Sequence, residues 1–199
     1  RVLADVSSGI KLALDAVRKH VPGHPNSVSV IIGTPWYLSQ SRTVVYKGET
    51  PLKIDEKLVT KLLESEVMSF AKEHFAERPS GIVEQAVMKI SLNGYETARP
   101  YGRQAKEIDV TFYLSMAGQD FIDMVRREVG LVYHRKEIRF NTFTFIAWQV
   151  ARLALLDSKQ SLVFIDVGGE VSEWTLVEGD CVVESISFPL GAHTIIRDI

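Results

Sequence analysis

The residues with the clearest potential for chemistry lie in the last third of the chain, in the segment Asp166-Val167-Gly168-Gly169-Glu170. An aspartate at the end of an apolar strand stands at a sheet edge, where its carboxylate can hold a divalent metal ion or the water shell of that ion. The two glycines that follow let the backbone turn sharply and present N–H groups to an anion. This spacing is typical of a phosphate-binding turn, and equally of an ordinary glycine hairpin that follows an aspartate. A second glycine turn, Pro189-Leu190-Gly191, comes after two further predicted strands.

The rest of the chain offers no comparable set of reactive residues. Its five histidines are dispersed, and no pair has metal-ligand spacing on a predicted helix. The single cysteine, Cys181, excludes an intramolecular disulfide and a cysteine-based zinc site, and its apolar surroundings indicate a small core residue. Neither a nucleophile elbow nor a Gly-x-x-x-x-Gly-Lys-Ser/Thr loop is present. The sequence therefore predicts no catalytic residue.

Composition restricts the class of protein. The chain has 199 residues, of which 46% are apolar, and this is enough for one large domain or two small ones. A formal net charge of -2 with scattered basic residues gives no reason to expect a nucleic-acid partner. No apolar run approaches the roughly 20 residues that span a bilayer, and the cysteine count fits a reducing compartment. Because the chain starts at Arg1 without a methionine, we expect it to be a piece of a longer protein.

Hydrophobic periodicity predicts the elements that lead to this segment, since apolar residues three to four apart indicate helices and alternating ones indicate strands. The predicted order is a helix over 1–20, a strand over 28–32 paired with one over 41–46, a helix over 55–70, and strands over 82–92 and 108–114. Asp55 is the expected N-cap of the second helix. Asn93-Gly94 is the expected turn of a hairpin, because both residues tolerate positive φ.

The second half of the chain continues as a mixed α/β protein. Its predicted elements are a helix over 117–128, a strand over 138–140, a helix over 143–156, a strand over 162–165, and strands over 171–177 and 181–188. The helix over 143–156 is apolar nearly all round, which predicts that it packs between other elements. The strand over 162–165 is an apolar run and is expected to be buried.

This order of elements resembles the FtsA and PilM family of bacterial actin-like proteins, and FtsA most of all. Residues 164–173 are similar to the second phosphate loop of that family, which usually reads Asp-Ile-Gly-Gly-Gly-Thr-Thr-Asp. Residues 189–192 are similar to its Pro-Val-Gly-Gly turn, which leads into a helix. The helix from Asp55, the turn at Asn93-Gly94 and the strand over 108–114 match, in order and spacing, a module inserted in the family's first domain.

The resemblance implies a fold and a division of the chain. The implied fold is a partial actin-like (ribonuclease H-like) ATPase domain that carries an inserted strand-helix-strand-strand module. Residues 1–26 would form a helix leading from the actin-like domain, residues 27–140 the inserted module, and residues 141–199 a partial actin-like subdomain with the second phosphate loop.

The resemblance also implies nucleotide contacts. Asp166, Gly168, Gly169 and Ser172 would contact the phosphates of ATP, with Asp166 acting on Mg²⁺ indirectly. The chain departs from the family pattern where Glu170 replaces the third glycine, Val171 the first threonine and Glu173 the closing aspartate. A carboxylate at position 170 repels a triphosphate. We therefore expect ATP and Mg²⁺ only in the full-length protein, and poor or no binding by this chain alone.

The implied function is a scaffold of bacterial cell division that self-associates and recruits partner proteins. It would be cytoplasmic and peripheral at the inner face of the membrane, and a type IV pilus-assembly protein is the alternative. In that family the contacts with the membrane and with the tubulin-like filament protein use segments that this chain lacks. An ATPase or sugar kinase of the same superfold, in which Asp166 organises magnesium, and a plain interaction module are the other hypotheses.

Overall fold

The computed structural model describes residues 2–20, 25–134, 137–154 and 161–197, and these form an alternating α/β chain. The elements are α1 Val2–His20, β1 Ser27–Ile32, β2 Tyr37–Lys53, α2 Glu56–His74, β3 Ser80–Leu92, β4 Tyr95–Glu96, β5 Gln104–Gly118, α3 Gln119–Val132, β6 Glu137–Thr142, α4 Phe143–Ala154, β7 Ser161–Val167, β8 Ser172–Glu178, β9 Cys181–Phe188 and α5 Ala192–Arg197. Within the described ranges, no helix combines the length and the apolar composition needed to cross a membrane.

The described strands form three sheets. An antiparallel sheet has the order β2-β5-β3-β4, a second has the order β7-β8-β9, and β1 pairs with β6 in parallel. The expected pairing of the strand over 28–32 with that over 41–46 is wrong, because β2 pairs along β5 while β1 pairs with the distant β6. Alternating side chains identify a strand but not its partner. A parallel partner must lie beyond a crossover, and here that crossover includes the whole four-stranded sheet.

Helix α2 packs on one face of the four-stranded sheet, and the local signals for its start and for the nearby hairpin turn are both observed. The backbone N–H of Leu58 donates to the Asp55 carboxylate at 2.8 Å, which confirms the N-cap. The hairpin turn after β3 is also confirmed, with φ of 50° at Asn93 and 83° at Gly94. The buried residues between helix and sheet include Phe70, Val110 and Phe112.

Two further cores lie outside that sheet. Helices α1 and α3 pack with β1 and β6 in the first, where the Trp36 ring stacks on Phe121 at a centroid distance of 4.7 Å. In the second, Trp148 of α4 contacts the cluster formed by Tyr113, Val177 and Val182.

Helix α4 is not covered all round, and this corrects the sequence-based expectation. Its buried side chains are Thr144, Trp148 and Ala151, whereas Leu153 is 79% exposed. The predicted end of this helix at residue 156 lies outside the described residues. Strand β7 is likewise buried on one face only, since Val163, Ile165 and Val167 are exposed. Apolar composition indicates a face that can be covered, but the neighbouring elements decide whether it is.

The division of the chain at residues 26 and 140 stays a prediction. The four-stranded sheet with α2 spans residues 37–118, and β1 and β6 lie on either side of it in sequence.

Candidate functional site

The loop after Asp166 is the connection of a β-hairpin. Strands β7 and β8 pair antiparallel up to Val167 and Ser172, and Asp166 lies half-buried opposite Glu173. Inside the loop the Gly168 N–H donates to the carbonyl oxygen of Val171 at 3.1 Å. A Cβ on Gly168 would lie 2.6 Å from that same oxygen, so the tight turn requires glycine.

The start of α5 docks on this loop. The N–H groups of Ala192 and His193 donate to the carbonyl oxygens of Gly168 and Gly169 at 2.8 and 2.9 Å. A Cβ on Gly191 would overlap the Gly169 carbonyl oxygen, so only glycine permits this approach. The loop therefore directs backbone carbonyls towards the first turn of α5, and the two segments satisfy each other's hydrogen bonds.

Side chains reinforce the same junction. The Ser172 hydroxyl donates to the Leu190 carbonyl oxygen, and the His193 Nδ1 lies 3.0 Å from the Glu170 Oε1. Three of the residues predicted from the sequence, Gly168, Gly169 and Ser172, are thus gathered at the junction of loop and helix. Their assignment as contacts to ATP phosphates stays a prediction, as does that of Asp166.

The junction fits a triphosphate with magnesium poorly. The Gly168 N–H is engaged within the loop, and the Glu170 carboxylate lies at the same turn. Within the described ranges, no group of three His, Cys, Asp or Glu side chains is placed to hold a metal ion. For this reason we derive no chemical step through ATP or Mg²⁺ at this loop.

A buried carboxylate directly after the loop is a feature that the sequence reasoning missed. Glu173 is 4% exposed, and it accepts hydrogen bonds from the Tyr37 hydroxyl to Oε2 at 2.7 Å and from the Thr144 hydroxyl to Oε1 at 3.0 Å. The Ser185 hydroxyl donates to the same Oε1. The carboxylate thus joins the beginnings of β2 and α4 to strands β8 and β9. Burial, followed by the nearby Glu173 charge, raises the pKa of Tyr37, which keeps the phenol protonated as a donor.

A second buried carboxylate joins the four-stranded sheet to the end of β6. Glu84 of β3 is 8% exposed and accepts from the Thr142 hydroxyl at 2.6 Å, the Asn141 amide at 2.9 Å and the Ser115 hydroxyl at 3.2 Å. Burial raises the pKa of Glu84, and the hydrogen bonds from Thr142 and Asn141 partly oppose that rise. For both Glu84 and Glu173, the sequence signal is a charged side chain at an inward-facing position of a strand. That pattern does not reveal which residues donate hydrogen bonds to the carboxylate.

Comparison with known proteins bears on the fold. No protein-family model matches the chain, and no relative was found among curated proteins. A solved chain from a structure described as a PilM-PilN type IV pilus biogenesis complex has a TM-score of 0.64 with this chain at 14% identity, covering 96% of this chain and 51% of that one. The fold is that of a partial actin-like domain.

A second solved structure shows a weaker likeness. It is a protein from Bacteroides thetaiotaomicron with an actin-like ATPase fold and unknown function, with a TM-score of 0.47 and 9% identity over 94% of this chain and 60% of that chain. The present chain spans about half the length of the PilM-PilN chain that it matches. The TM-score of 0.64 over 96% of this chain confirms the expected fold class and supports the coarse likeness to FtsA- and PilM-type actin-like proteins. The closer likeness to FtsA stays a prediction.

The buried carboxyl group of Glu84 predicts a pH effect on stability. Its pKa is raised on folding, so its contribution to stability is fully present below the unfolded-state pKa and is lost as pH rises through the folded-state pKa. Lowering the pH from about 7 to about 5 is therefore expected to shift the difference in free energy of unfolding between wild type and Glu84→Gln in favour of the wild type.

Urea unfolding at both pH values measures that difference. The matched control is Glu178→Gln, the same change at an exposed carboxylate at the end of β8. A difference for Glu84→Gln that is independent of pH, or that moves towards the variant as pH falls, would show that burial does not govern this carboxyl group.

An open groove runs between the beginning of α1 and the four-stranded sheet. Its volume is about 480 Å³. Its lining is mostly apolar and includes Val2, Leu3, Trp36, Tyr37, Phe75 and Phe121, together with the charged Arg78 and Asp120. Tyr37 thus lines the groove, and its hydroxyl donates to the buried Glu173.

Proposed function

We propose that this chain is the partner-binding part of an actin-like scaffold that works in the assembly of a type IV pilus. The observation that carries the proposal is the fold shared, over 96% of the chain, with a protein from a PilM-PilN type IV pilus biogenesis complex. The contact between the glycine loop and α5 supports a scaffold more than an enzyme. The N–H groups of Gly168, Ala192 and His193 are the kind of donor that binds a phosphate, and here they donate to carbonyl oxygens of the chain itself.

The groove beside Tyr37 is the partner site in this proposal, and its occupant is an extended segment of a PilN-type protein. Aromatic side chains in a concave apolar surface are the usual anchors of protein interfaces, and here Trp36 and Phe75 fill that role. Arg78 and Asp120 add one charge of each sign, which supplies polar contacts for the backbone or the side chains of a bound segment.

The remaining properties of the scaffold belong to the same proposal. The protein would be cytoplasmic, peripheral at the inner face of the membrane, and able to self-associate. Binding of ATP and Mg²⁺ would need segments of a longer protein besides Asp166 and the glycine loop. A cell-division scaffold is the alternative, and the similarity of residues 164–173 and 189–192 to FtsA-type motifs is the observation that favours it.

Binding measurements test the proposal directly. Isothermal titration of the natural protein with the PilN-type protein of the same genome is expected to show saturable binding. Trp36→Ala should weaken it by about 2 kcal/mol, or roughly thirtyfold, because the variant removes an aromatic anchor. Trp174→Ala is the matched control, since Trp174 is an exposed tryptophan on β8 that does not line the groove.

A gene deletion separates the two roles. Loss of surface pili in cells of normal length is the result expected of a pilus-assembly scaffold. Filamentous cells that keep their pili would favour the cell-division alternative. Two negative results together would overturn the proposal. The folded protein would bind no PilN-type partner, and deletion of its gene would leave the pili unchanged.

A further inference from the structure

Tyr37 belongs both to the groove lining and to the hydrogen bonds of a buried carboxylate. Tyr37 is one of the residues that line the groove, next to Trp36 in sequence, and its hydroxyl lies 2.7 Å from Glu173 Oε2. Both Tyr37 and Glu173 are 4% exposed, so their hydrogen bond is shielded from water. A bond between a hydroxyl and a buried carboxylate is stronger and more directional than one between neutral groups, and it restricts where the ring can lie.

We propose that Glu173 is a positioning residue for the groove, which it ties to the glycine loop after Asp166 through the Tyr37 hydroxyl. The inference rests on the proposed function, because the groove is the partner site there. It goes beyond that function by assigning control of the groove wall to a residue that no partner would touch.

The Glu173 carboxylate is itself held in place. Thr144 of α4 and Ser185 of β9 donate to its Oε1, which leaves Oε2 for Tyr37. Its orientation is therefore set by two elements besides β8, and Tyr37 cannot rotate without breaking a buried bond to a charged group.

The loop lies one residue away along β8. Ser172, directly before Glu173, donates to the Leu190 carbonyl oxygen at the turn that leads into α5. In this proposal, a shift of the junction between loop and α5 moves the beginning of β8, then the Glu173 carboxylate, and then Tyr37 in the groove lining. This chain of contacts is continuous, because the peptide bond between Ser172 and Glu173 joins the hydrogen bond to Leu190 with the hydrogen bond from Tyr37.

The molecule supplies a matched control in Glu84. This residue is also a buried carboxylate with three side-chain donors, and it also joins the four-stranded sheet to its neighbours. Neither Glu84 nor its partners Ser115, Asn141 and Thr142 line the groove. Substitution of Glu84 thus measures the effect of losing a buried carboxylate in general. Substitution of Glu173 measures that effect together with any effect on the groove.

Hydrogen exchange of the natural protein, without any partner, tests the positioning role. Tyr37→Phe and Glu173→Gln are expected to speed exchange of the Trp36 and Tyr37 amides by about tenfold. Tyr37→Phe removes a hydrogen bond to a charged group, and Glu173→Gln removes the charge and one of the two acceptor oxygens that three hydroxyl groups share. Glu84→Gln should leave these two amides unchanged. Gly191→Ala, which displaces α5 from the loop, should speed the same amides if loop and groove are tied.

Affinity for the PilN-type partner gives the second readout. Tyr37→Phe and Glu173→Gln should each weaken binding by about tenfold. The double variant should bind no more weakly than Tyr37→Phe, because without the Tyr37 hydroxyl the change at Glu173 no longer acts on the groove. Glu84→Gln should bind like the wild type.

The outcomes are distinct. Unchanged exchange at Trp36 and Tyr37 in both variants, or an equal increase in Glu84→Gln, would overturn the positioning role whatever the partner does. Unchanged exchange in Gly191→Ala would overturn the tie to the loop. Faster exchange in Tyr37→Phe and Glu173→Gln, in a protein that binds no PilN-type partner, would support the positioning role and overturn the proposed function.

Discussion

Replacing Glu173 with alanine is expected to lower the free energy of unfolding by about 3 kcal/mol, because three hydroxyl donors lose their shared acceptor inside the protein. Tyr37, Thr144 and Ser185 all donate to this carboxylate, and the first two are almost fully buried. Tyr37 and Thr144 lie 2.9 Å apart, so they can bond to each other and recover part of the loss. The hole left by the side chain adds to the cost.

Urea unfolding followed by circular dichroism measures this loss. Glu178→Ala is the matched control, because Glu178 ends the same strand with its side chain exposed, and its removal is expected to change stability by less than about 0.5 kcal/mol. A Glu173→Ala protein as stable as the control would show that these hydrogen bonds contribute no net stability.

Gly191→Ala is expected to be the second most damaging change, with a loss of about 2 to 3 kcal/mol or a displaced α5. The added Cβ would overlap the Gly169 carbonyl oxygen and would lie 2.6 Å from the Glu170 nitrogen. Both obstacles are backbone atoms, so no side-chain rotation removes the clash. The start of α5 must move away, and it then loses its hydrogen bonds to Gly168 and Gly169.

The control for this change is an alanine that has room. Gly9 lies inside α1, and a Cβ added to it would have no atom within 4 Å, so Gly9→Ala is expected to stabilise the protein by up to about 1 kcal/mol through helix propensity. Thermal unfolding compares the two variants, and hydrogen exchange of residues 192–194 reports on α5. Equal effects of the two substitutions would mean that loop and helix are not in close contact in solution.

Local sequence signals predicted most of the elements. The N-cap at Asp55 and the turn at Asn93-Gly94 depend on interactions within a few residues, so they could be recognised without knowledge of the rest of the fold. The same holds for the tight loop at Gly168 and Gly169, whose turn is a property of the glycines themselves.

Contacts between distant segments were beyond the reach of such signals. The pairing of β1 with β6 joins segments about a hundred residues apart, and nothing in the alternation of residues 28–32 specifies it. The prediction that α4 and β7 are buried on all sides was wrong for the same reason. An apolar side chain shows that a face can be covered, but it does not show whether a neighbouring element covers it.

The candidate site shows the same limit. Sequence alone determined that a glycine turn follows Asp166, and it showed a resemblance to an actin-like order of elements and to a phosphate loop from which Glu170 departs. Only the tertiary structure showed that N–H groups of α5 donate to the carbonyl oxygens of that turn. It also showed that Glu173 accepts a hydrogen bond from Tyr37, a residue more than a hundred positions away. The physical reason is that a turn is set by local backbone sterics, whereas a buried carboxylate acquires its role from donors that the whole fold brings to it.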